Sequence, residues 1–262
     1  MELIAIEHLN KVARVSLNRP QARNAQNTEL LDELHEVFAA LREDQGVRVV
    51  VLAANGPHFS AGHDLREGQA ERAHYGVEQR WVHEEKRFFD YCLEIYDFPK
   101  PVVAQVQGAC ISAGFMMANM CDLIVASESA YFQDPVVHTL AAASVEVLIH
   151  PWVLGLRKAK EMLFTGLPVS AAEALQAGMV NQVVPDDQLE AKTLLLAQKI
   201  AQAPTFALRL VKRSLNRSVD VQGLRSALNA HFDTHQLTHA TGEFAEIKKA
   251  GLDHALRPRA SA

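Results

Sequence analysis

The chain has 262 residues, of which 48% are hydrophobic and 22% are charged, proportions that are typical of an ordinary globular protein. A formal net charge of −5 argues against a broad surface for nucleic acid or for an anionic membrane. No apolar run approaches the roughly 20 residues of a membrane span. The three cysteines, Cys92, Cys110 and Cys121, lack metal-site spacing and cannot all pair, which favours free thiols in a reducing compartment.

The first elements along the chain have clear periodicities. Residues 3–9 and 12–17 alternate apolar and polar side chains, which predicts a strand hairpin and not a signal peptide, so cytoplasm is the default location. Residues 28–42 place their apolar side chains on one helical stripe. Residues 47–53 form a continuous apolar run of strand length, which predicts a covered central strand.

Residues 101–122 form the stretch around which the chain is organised. A β-branched strand runs through small residues, from Gly108 to Gly114, into an apolar segment of helical character. Free backbone N–H groups at the start of such a helix can bind an anion or stabilise a developing oxyanion. Alternatively, the small residues are needed only for packing in a tight strand-to-helix connection. Residues 58–65 repeat this pattern after another strand, so the two turns together can direct two N–H groups at one oxygen.

The remaining elements complete a pattern of strands and helices. Residues 66–98 are predicted to be mostly helical, and residues 122–126 and 130–133 to be short strands. Ser170 and Glu173 have the spacing of a capping box, and from residue 187 onward the pattern is helical with a break at Pro204. This order predicts an α/β protein of loosely repeated β-β-α units with a helical tail.

Several segments, in this order, resemble the enoyl-CoA hydratase/isomerase (crotonase) superfamily: LNRPQARNA, HFSAGHDL, PKPVVAQVQGACISAGFMMANMCDLIVAS, and KAKEMLFTG followed by SAAEALQAGMVNQVVP. The resemblance extends from about residue 6 to about residue 218. It implies a spiral of β-β-α units with two roughly perpendicular sheets and the acyl-CoA site in residues 1–200. It also implies that residues 201–262 form a helical region that assembles homotrimers, often paired into hexamers.

The resemblance also implies a site for acyl-CoA thioesters. Coenzyme A is then part of the substrate, with no permanently bound cofactor and no metal. By position, the backbone N–H groups of His63 and Ala113 form an oxyanion hole for a thioester enolate; because the backbone donates, the His63 imidazole need not take part. Asp64 also suits the N-cap of the next helix. The implied substrate-binding residues are Arg23, Ala25, Ala61, Asp64, Leu65 and Gly114.

The sequence departs from the family at the positions that carry the usual chemistry. Hydratases of this family use two glutamates, and the matching positions here are Met116 and Val136, neither of which can carry a proton. Ser112 stands where the family usually has glycine, and Gln26 where it usually has leucine. Hydration by the paired-glutamate mechanism is therefore not expected.

Three other side chains are candidates for the acid or base. Asp134 precedes a proline and can be a turn former, and His138 can be a hydrogen-bonded structural histidine. Glu146 lies among apolar residues, so if it is buried it needs a partner or a raised pKa.

Two functions remain open from these residues. The first is an acyl-CoA enzyme with a non-standard base, such as an isomerase, decarboxylase or thioester hydrolase. The second is an acyl-CoA-binding homologue without turnover. The net charge disfavours RNA binding as a third.

Overall fold

The computed structural model describes residues 3–143 and 145–250, and their strands form two sheets. Within this part of the chain the larger sheet has the order β1-β2-β3-β4-β6-β9 and the smaller one β5-β7-β8. The strands are β1 (Ile4–Leu9), β2 (Val12–Leu17), β3 (Val49–Ala54), β4 (Val102–Val106), β5 (Ala109–Ile111), β6 (Leu123–Ser127), β7 (Tyr131–Gln133), β8 (Val169–Ser170) and β9 (Gln182–Val184).

Helices separate and follow these strands. They are α1 (Thr28–Glu43), α2 (Leu65–Glu71), α3 (Val77–Glu84), α4 (Tyr91–Tyr96), α5 (Ala113–Asn119), α6 (Val136–Leu140), α7 (His150–Leu154), α8 (Leu156–Thr165), α9 (Ala171–Gln176), α10 (Leu189–Ile200), α11 (Thr205–Val221), α12 (Leu224–Thr238) and α13 (Gly242–Ala250). A π-helical turn, Glu85–Asp90, joins α3 to α4, and short 3-10 turns span Pro20–Ala22 and Asp186–Gln188.

The larger sheet begins with the predicted hairpin and continues with parallel strands. β1 pairs antiparallel with β2 around Asn10, and β2, β3, β4, β6 and β9 then pair in parallel. Every residue of β3 and β4 is buried, which explains why these strands are continuous apolar runs and do not alternate. The prediction of a covered central strand is confirmed.

Two consecutive units show the β-β-α repeat. β4 lies in the larger sheet, β5 in the smaller sheet, and α5 follows; β6, β7 and α6 repeat this order. The α/β fold is therefore as predicted. Ser170 and Glu173 form the predicted capping box at the start of α9.

The segment predicted to be mostly helical, 66–98, is interrupted. α2 ends at Glu71, α3 begins after Gly76, and the π-helical turn breaks the regular helix before α4. After Pro204 the chain forms α11, α12 and α13, while residues 251–262 of the predicted helical region lie outside the described residues. None of the helices in the described part of the chain is long and apolar enough to cross a membrane.

Candidate active site

The two strand–turn–helix segments meet side by side. Ser60 donates its backbone N–H to the carbonyl of Ala109, and its own carbonyl accepts the N–H of Ile111, each at 3.0 Å. Gly62 has φ +87°, and a Cβ atom at this position would lie 2.8 Å from the Ile111 carbonyl oxygen and 3.4 Å from the Ala113 nitrogen. Glycine therefore allows the first turn to lie against the second.

This contact leaves two backbone donors close together. Among the described residues, neither the N–H of His63 nor the N–H of Ala113 donates a hydrogen bond, although the amides of Gly62, Asp64 and Ser112 do. Gln26 donates to the carbonyl of Gly62, and Asp64 donates to the carbonyl of Gln26. The turn is thus fixed on both sides of His63. The role of the two free donors as an oxyanion hole stays a prediction.

The second turn has a backbone conformation that favours glycine. Ser112 has φ 46° and ψ −112°, and its hydroxyl donates to Asp134 Oδ1 at 3.1 Å. The other Asp134 oxygen accepts from His150 Nε2 at 3.1 Å, and the His150 ring stacks on Phe115 with centroids 4.3 Å apart. Asp134 and His150 are fully buried. These contacts hold the strained turn that presents Ala113.

Glu146 has the partner that its burial requires. Its Oε1 accepts a hydrogen bond from His63 Nε2 at 2.7 Å, and the side chain is 2% exposed. The His63 ring packs on Phe88, with centroids 4.0 Å apart. Burial alone would raise the pKa of Glu146, but the neighbouring imidazoles of His63 and His235 outweigh it and lower the pKa. From the sequence, the His63 imidazole need not take part in the chemistry. In the structure, this imidazole is the hydrogen-bond partner of the buried Glu146 carboxylate.

Met116 connects this pair to the second turn. Its sulfur accepts the backbone N–H of Val147 at 3.1 Å, so the side chain fixes the segment that carries Glu146. Val136, at the start of α6, is also buried, and both side chains belong to the same apolar core. The Met116 side chain thus helps to place Glu146.

Comparison with known proteins identifies the family. A sequence profile described as enoyl-CoA hydratase/isomerase matches residues 7–254. The chain belongs to this family. The crystal structure of a probable enoyl-CoA hydratase from Mycobacterium smegmatis is 48% identical, covers 92% of this chain and 95% of its own, and has a TM-score of 0.86. An enoyl-CoA hydratase/isomerase from Xanthobacter autotrophicus Py2 is 32% identical, with coverage of 97% and 96% and a TM-score of 0.90.

A curated relative supports the same assignment. The mouse mitochondrial enoyl-CoA hydratase domain-containing protein 3 is 33% identical over an alignment of 221 residues. The alignment covers 82% of this chain and 70% of the relative. The crotonase-like fold and the enoyl-CoA hydratase/isomerase family, a family of acyl-CoA enzymes, are therefore confirmed.

The residues that the resemblance assigns to substrate binding lie on two adjoining loops, at the start of α2 and in α5. Ala61 donates its N–H to the Arg23 carbonyl at 3.0 Å, which places the segment around Ala25 beside the first turn. Arg23 is exposed, while Ala25, Ala61 and Leu65 are half-buried. Gly114 is buried, and a Cβ atom at this position would lie 2.8 Å from the Ser60 carbonyl oxygen. Their role in binding stays a prediction.

Asp64 performs a structural task in this region. Its carboxylate caps α2 by accepting the N–H groups of Arg66 and Glu67, each at 3.1 Å, and its second oxygen pairs with Arg19 at 2.9 Å. These contacts use both carboxylate oxygens, so the capping interpretation of Asp64 is confirmed.

His138 lies in a different environment from His63. Its Nε2 donates to the carbonyl of Phe164 at 2.6 Å, near the end of α8. This bond ties α6 to α8, as expected of a structural histidine. Two of the three predicted acid–base candidates therefore contact the two turns: Glu146 bonds to His63 of the first turn, and Asp134 bonds to Ser112 of the second.

The helical tail also contributes a side chain, His235, that the sequence does not predict to lie near Glu146. His235 of α12 is buried; its Nε2 donates to Glu84 Oε2 at 2.9 Å and lies 3.9 Å from Glu146 Oε1. Burial would lower the pKa of His235, but the charges of Glu146 and Glu84 raise it. His235 lies almost 90 positions after Glu146 in the chain, and no local sequence motif indicates that the two side chains are close.

Proposed function

We propose that the chain is an acyl-CoA thioester enzyme that holds a thioester enolate between the N–H groups of His63 and Ala113. The His63–Glu146 pair moves the proton in this proposal. The observation that carries it is the 2.7 Å bond between an imidazole on the oxyanion turn and a buried carboxylate. Membership of an acyl-CoA enzyme family supplies the substrate class.

The reaction begins at the α-carbon of the thioester. An α-proton is only weakly acidic, so charge must move onto the carbonyl oxygen, where each well-placed donor contributes roughly 3–4 kcal/mol. Glu146 accepts the Nε2–H of His63, which leaves the lone pair on Nδ1. The α-C–H bond breaks, its electron pair enters the enolate, and Nδ1 takes the proton. Glu146 then stabilises the imidazolium.

The fate of the enolate defines the reaction type. Return of the proton to the α-carbon gives exchange, and delivery to the γ-carbon of an unsaturated acyl chain gives an isomer. Hydration needs a second group that activates water, and Met116 and Val136 offer no titratable atom at the usual positions. We therefore favour enolate chemistry with a single proton-carrying pair, and expect slow hydration of short straight-chain enoyl-CoA.

Exchange of the α-protons of acyl-CoA with deuterium, followed by NMR, tests the proposal. His63→Gln keeps the backbone donor and removes the base, so we expect a loss of about 10²–10⁴-fold, the usual contribution of general acid–base catalysis. Glu146→Gln should also slow exchange. His138→Gln is the matched control, since His138 bonds to Phe164, and it should exchange at the wild-type rate. Wild-type exchange in both His63→Gln and Glu146→Gln would contradict the proposal.

A silent acyl-CoA-binding homologue is the second candidate, and it is favoured by the apolar side chains at both glutamate positions, Met116 and Val136. Mass spectrometry of a panel of acyl-CoA thioesters distinguishes the two functions. Any product that depends on the protein excludes the silent homologue. Binding of the panel without a product or α-proton exchange excludes the enzyme.

We also propose that the helical region from residue 201 assembles a homotrimer or a hexamer. The support is that α11 exposes large apolar side chains: Phe206 is 68% exposed and Leu215 is 62% exposed. A second copy covering them would remove this surface from water. Light scattering tests the mass, and Leu215→Lys should shift the wild-type oligomer toward smaller species. A monomeric wild type would contradict the proposal.

A further inference from the structure

A buried carboxylate and two imidazoles converge where α12 packs against α3. Glu84 is the last residue of α3, and His235 and His239 lie one helical turn apart at the end of α12. One ligand atom from each of the three residues lies within 4.8 Å of the others. We propose that these residues form a binding site for a divalent transition metal, best suited to Zn²⁺. The inference does not depend on the acyl-CoA function.

The spacing of the ligand atoms fits tetrahedral coordination. Glu84 Oε2 lies 2.9 Å from His235 Nε2 and 3.4 Å from His239 Nε2. With metal–ligand bonds of about 2.0–2.1 Å, a tetrahedral zinc ion separates its ligand atoms by about 3.3 Å. The two histidines share a helix face because they are four residues apart, the spacing that zinc-binding helices use. The two distances from Glu84 thus lie within about 0.5 Å of the separation that a tetrahedral zinc ion requires.

His239 supplies an independent indication of a ligand. Among the described residues, both of its ring nitrogens are buried and neither makes a hydrogen bond. The approach of Nε2 to Glu84 at 3.4 Å is an ion-pair distance without hydrogen-bond geometry. Buried polar groups are almost always satisfied, so an unsatisfied imidazole directed at a carboxylate calls for a missing partner. A metal ion would supply this partner for Nε2.

The carboxylate ligand is already held in place. Gln236 Nε2 donates to Glu84 Oε2 at 2.8 Å, and an Arg80 guanidinium nitrogen donates to Oε1 at 3.4 Å. Such outer contacts orient metal ligands in proteins. The Nδ1 atoms of His235 and His239 lack corresponding partners within the described residues. We therefore expect weaker affinity than in a structural zinc site whose imidazoles are also fixed.

The site has a path to solvent and an open coordination position. A cleft of about 250 Å³ reaches His239 and is also lined by Tyr75, Arg80, Gln236, Phe244 and Lys248. Two imidazoles and one carboxylate leave the fourth position of a zinc ion free, and water from the cleft can occupy it. The bound ion would tie α12 to α3.

Titration of the chelator-stripped full-length protein with Zn²⁺ against a chromophoric chelator, at pH 8, tests the site. A pH above neutrality favours binding, because a metal ion displaces protons from its ligands. We expect one zinc per chain, with affinity reduced at least about 10-fold in His239→Gln and Glu84→Gln. His8→Gln changes an exposed histidine of β1 and should bind like the wild type. Co²⁺ should give the visible spectrum of a tetrahedral site in wild type only.

A melting experiment separates a ligand from a merely structural residue. His239 lies 3.4 Å from Glu84 and its ring packs on Phe244, so metal-free His239→Gln serves as its own reference and only the change in melting temperature on adding zinc is compared. Zinc should raise the melting temperature of the wild type but not that of the variant. Substoichiometric binding by the wild type, or wild-type affinity in both His239→Gln and Glu84→Gln, would overturn the proposal.

Discussion

Replacement of Gly62 by alanine tests whether the two turns of the site must touch. Gly62 has φ +87°, and the new Cβ would lie 2.8 Å from the Ile111 carbonyl oxygen and 3.2 Å from Ser112 Cβ. The left-handed backbone costs about 1–2 kcal/mol for an L-residue, and overpacking adds about 1–3 kcal/mol. We expect Gly62→Ala to lower the free energy of unfolding by about 2–5 kcal/mol, the sum of the two costs.

Gly178 provides the matched control for this change. It has φ +79°, but a Cβ there would meet no atom within 4 Å, so Gly178→Ala incurs the backbone cost alone. Urea denaturation at one fixed protein concentration measures both variants, since assembly would make stability depend on concentration. The difference between them, about 1–3 kcal/mol, isolates the contact at the site. Equal losses in the two variants would refute the close approach of the turns.

Two further variants test the cap of α9 and the strained turn. The pKa of Glu173 is lowered to about 2 by Lys158 and then by Ser170, so its contribution is present above its ordinary pKa near 4.5 and is lost as pH falls toward 2. Glu173→Ala should therefore lower the free energy of unfolding by up to about 1 kcal/mol at pH 7, as measured by urea denaturation. The difference from the wild type should become smaller below pH 4.5. A difference that does not change with pH would count against the ion pair. Ser112→Gly relieves about 1–3 kcal/mol of backbone strain and loses a bond to Asp134 worth about 1 kcal/mol, so its unfolding free energy should equal or exceed that of wild type. A clear loss would show that the bond outweighs the strain.

Local patterns predicted the elements well because their causes are local. The alternation of the first hairpin, the stripe of α1 and the capping box at Ser170 each depend on residues within one or two turns of one another. The two small-residue turns could also be paired from sequence, because both follow strands that lie side by side in a parallel sheet. Apolar spacing alone does not locate the break between α2 and α3.

Side-chain partners could not be predicted in the same way. Asp134 reads as a turn former because it precedes a proline, yet its carboxylate holds Ser112 and His150 in the buried interior. The pairing of Glu84 with His235 spans about 150 positions, and its only local signature is an ordinary amphipathic helix. Burial and long-range geometry, rather than local propensity, decide which of these polar groups meet.

The contacts of Met116 bear on how the proposed proton-carrying pair, His63 and Glu146, is held in place. A methionine at this position places its sulfur against the N–H of Val147, and the adjacent residue, Glu146, then reaches His63. A glutamate at position 116 would instead put a second carboxylate beside Glu146 in a buried region, where like charges oppose ionisation. In the proposed mechanism, an apolar side chain at position 116 therefore favours an ionised Glu146. The apolar side chains at 116 and 136 argue against paired-glutamate hydration, but they do not argue against proton transfer at the enolate.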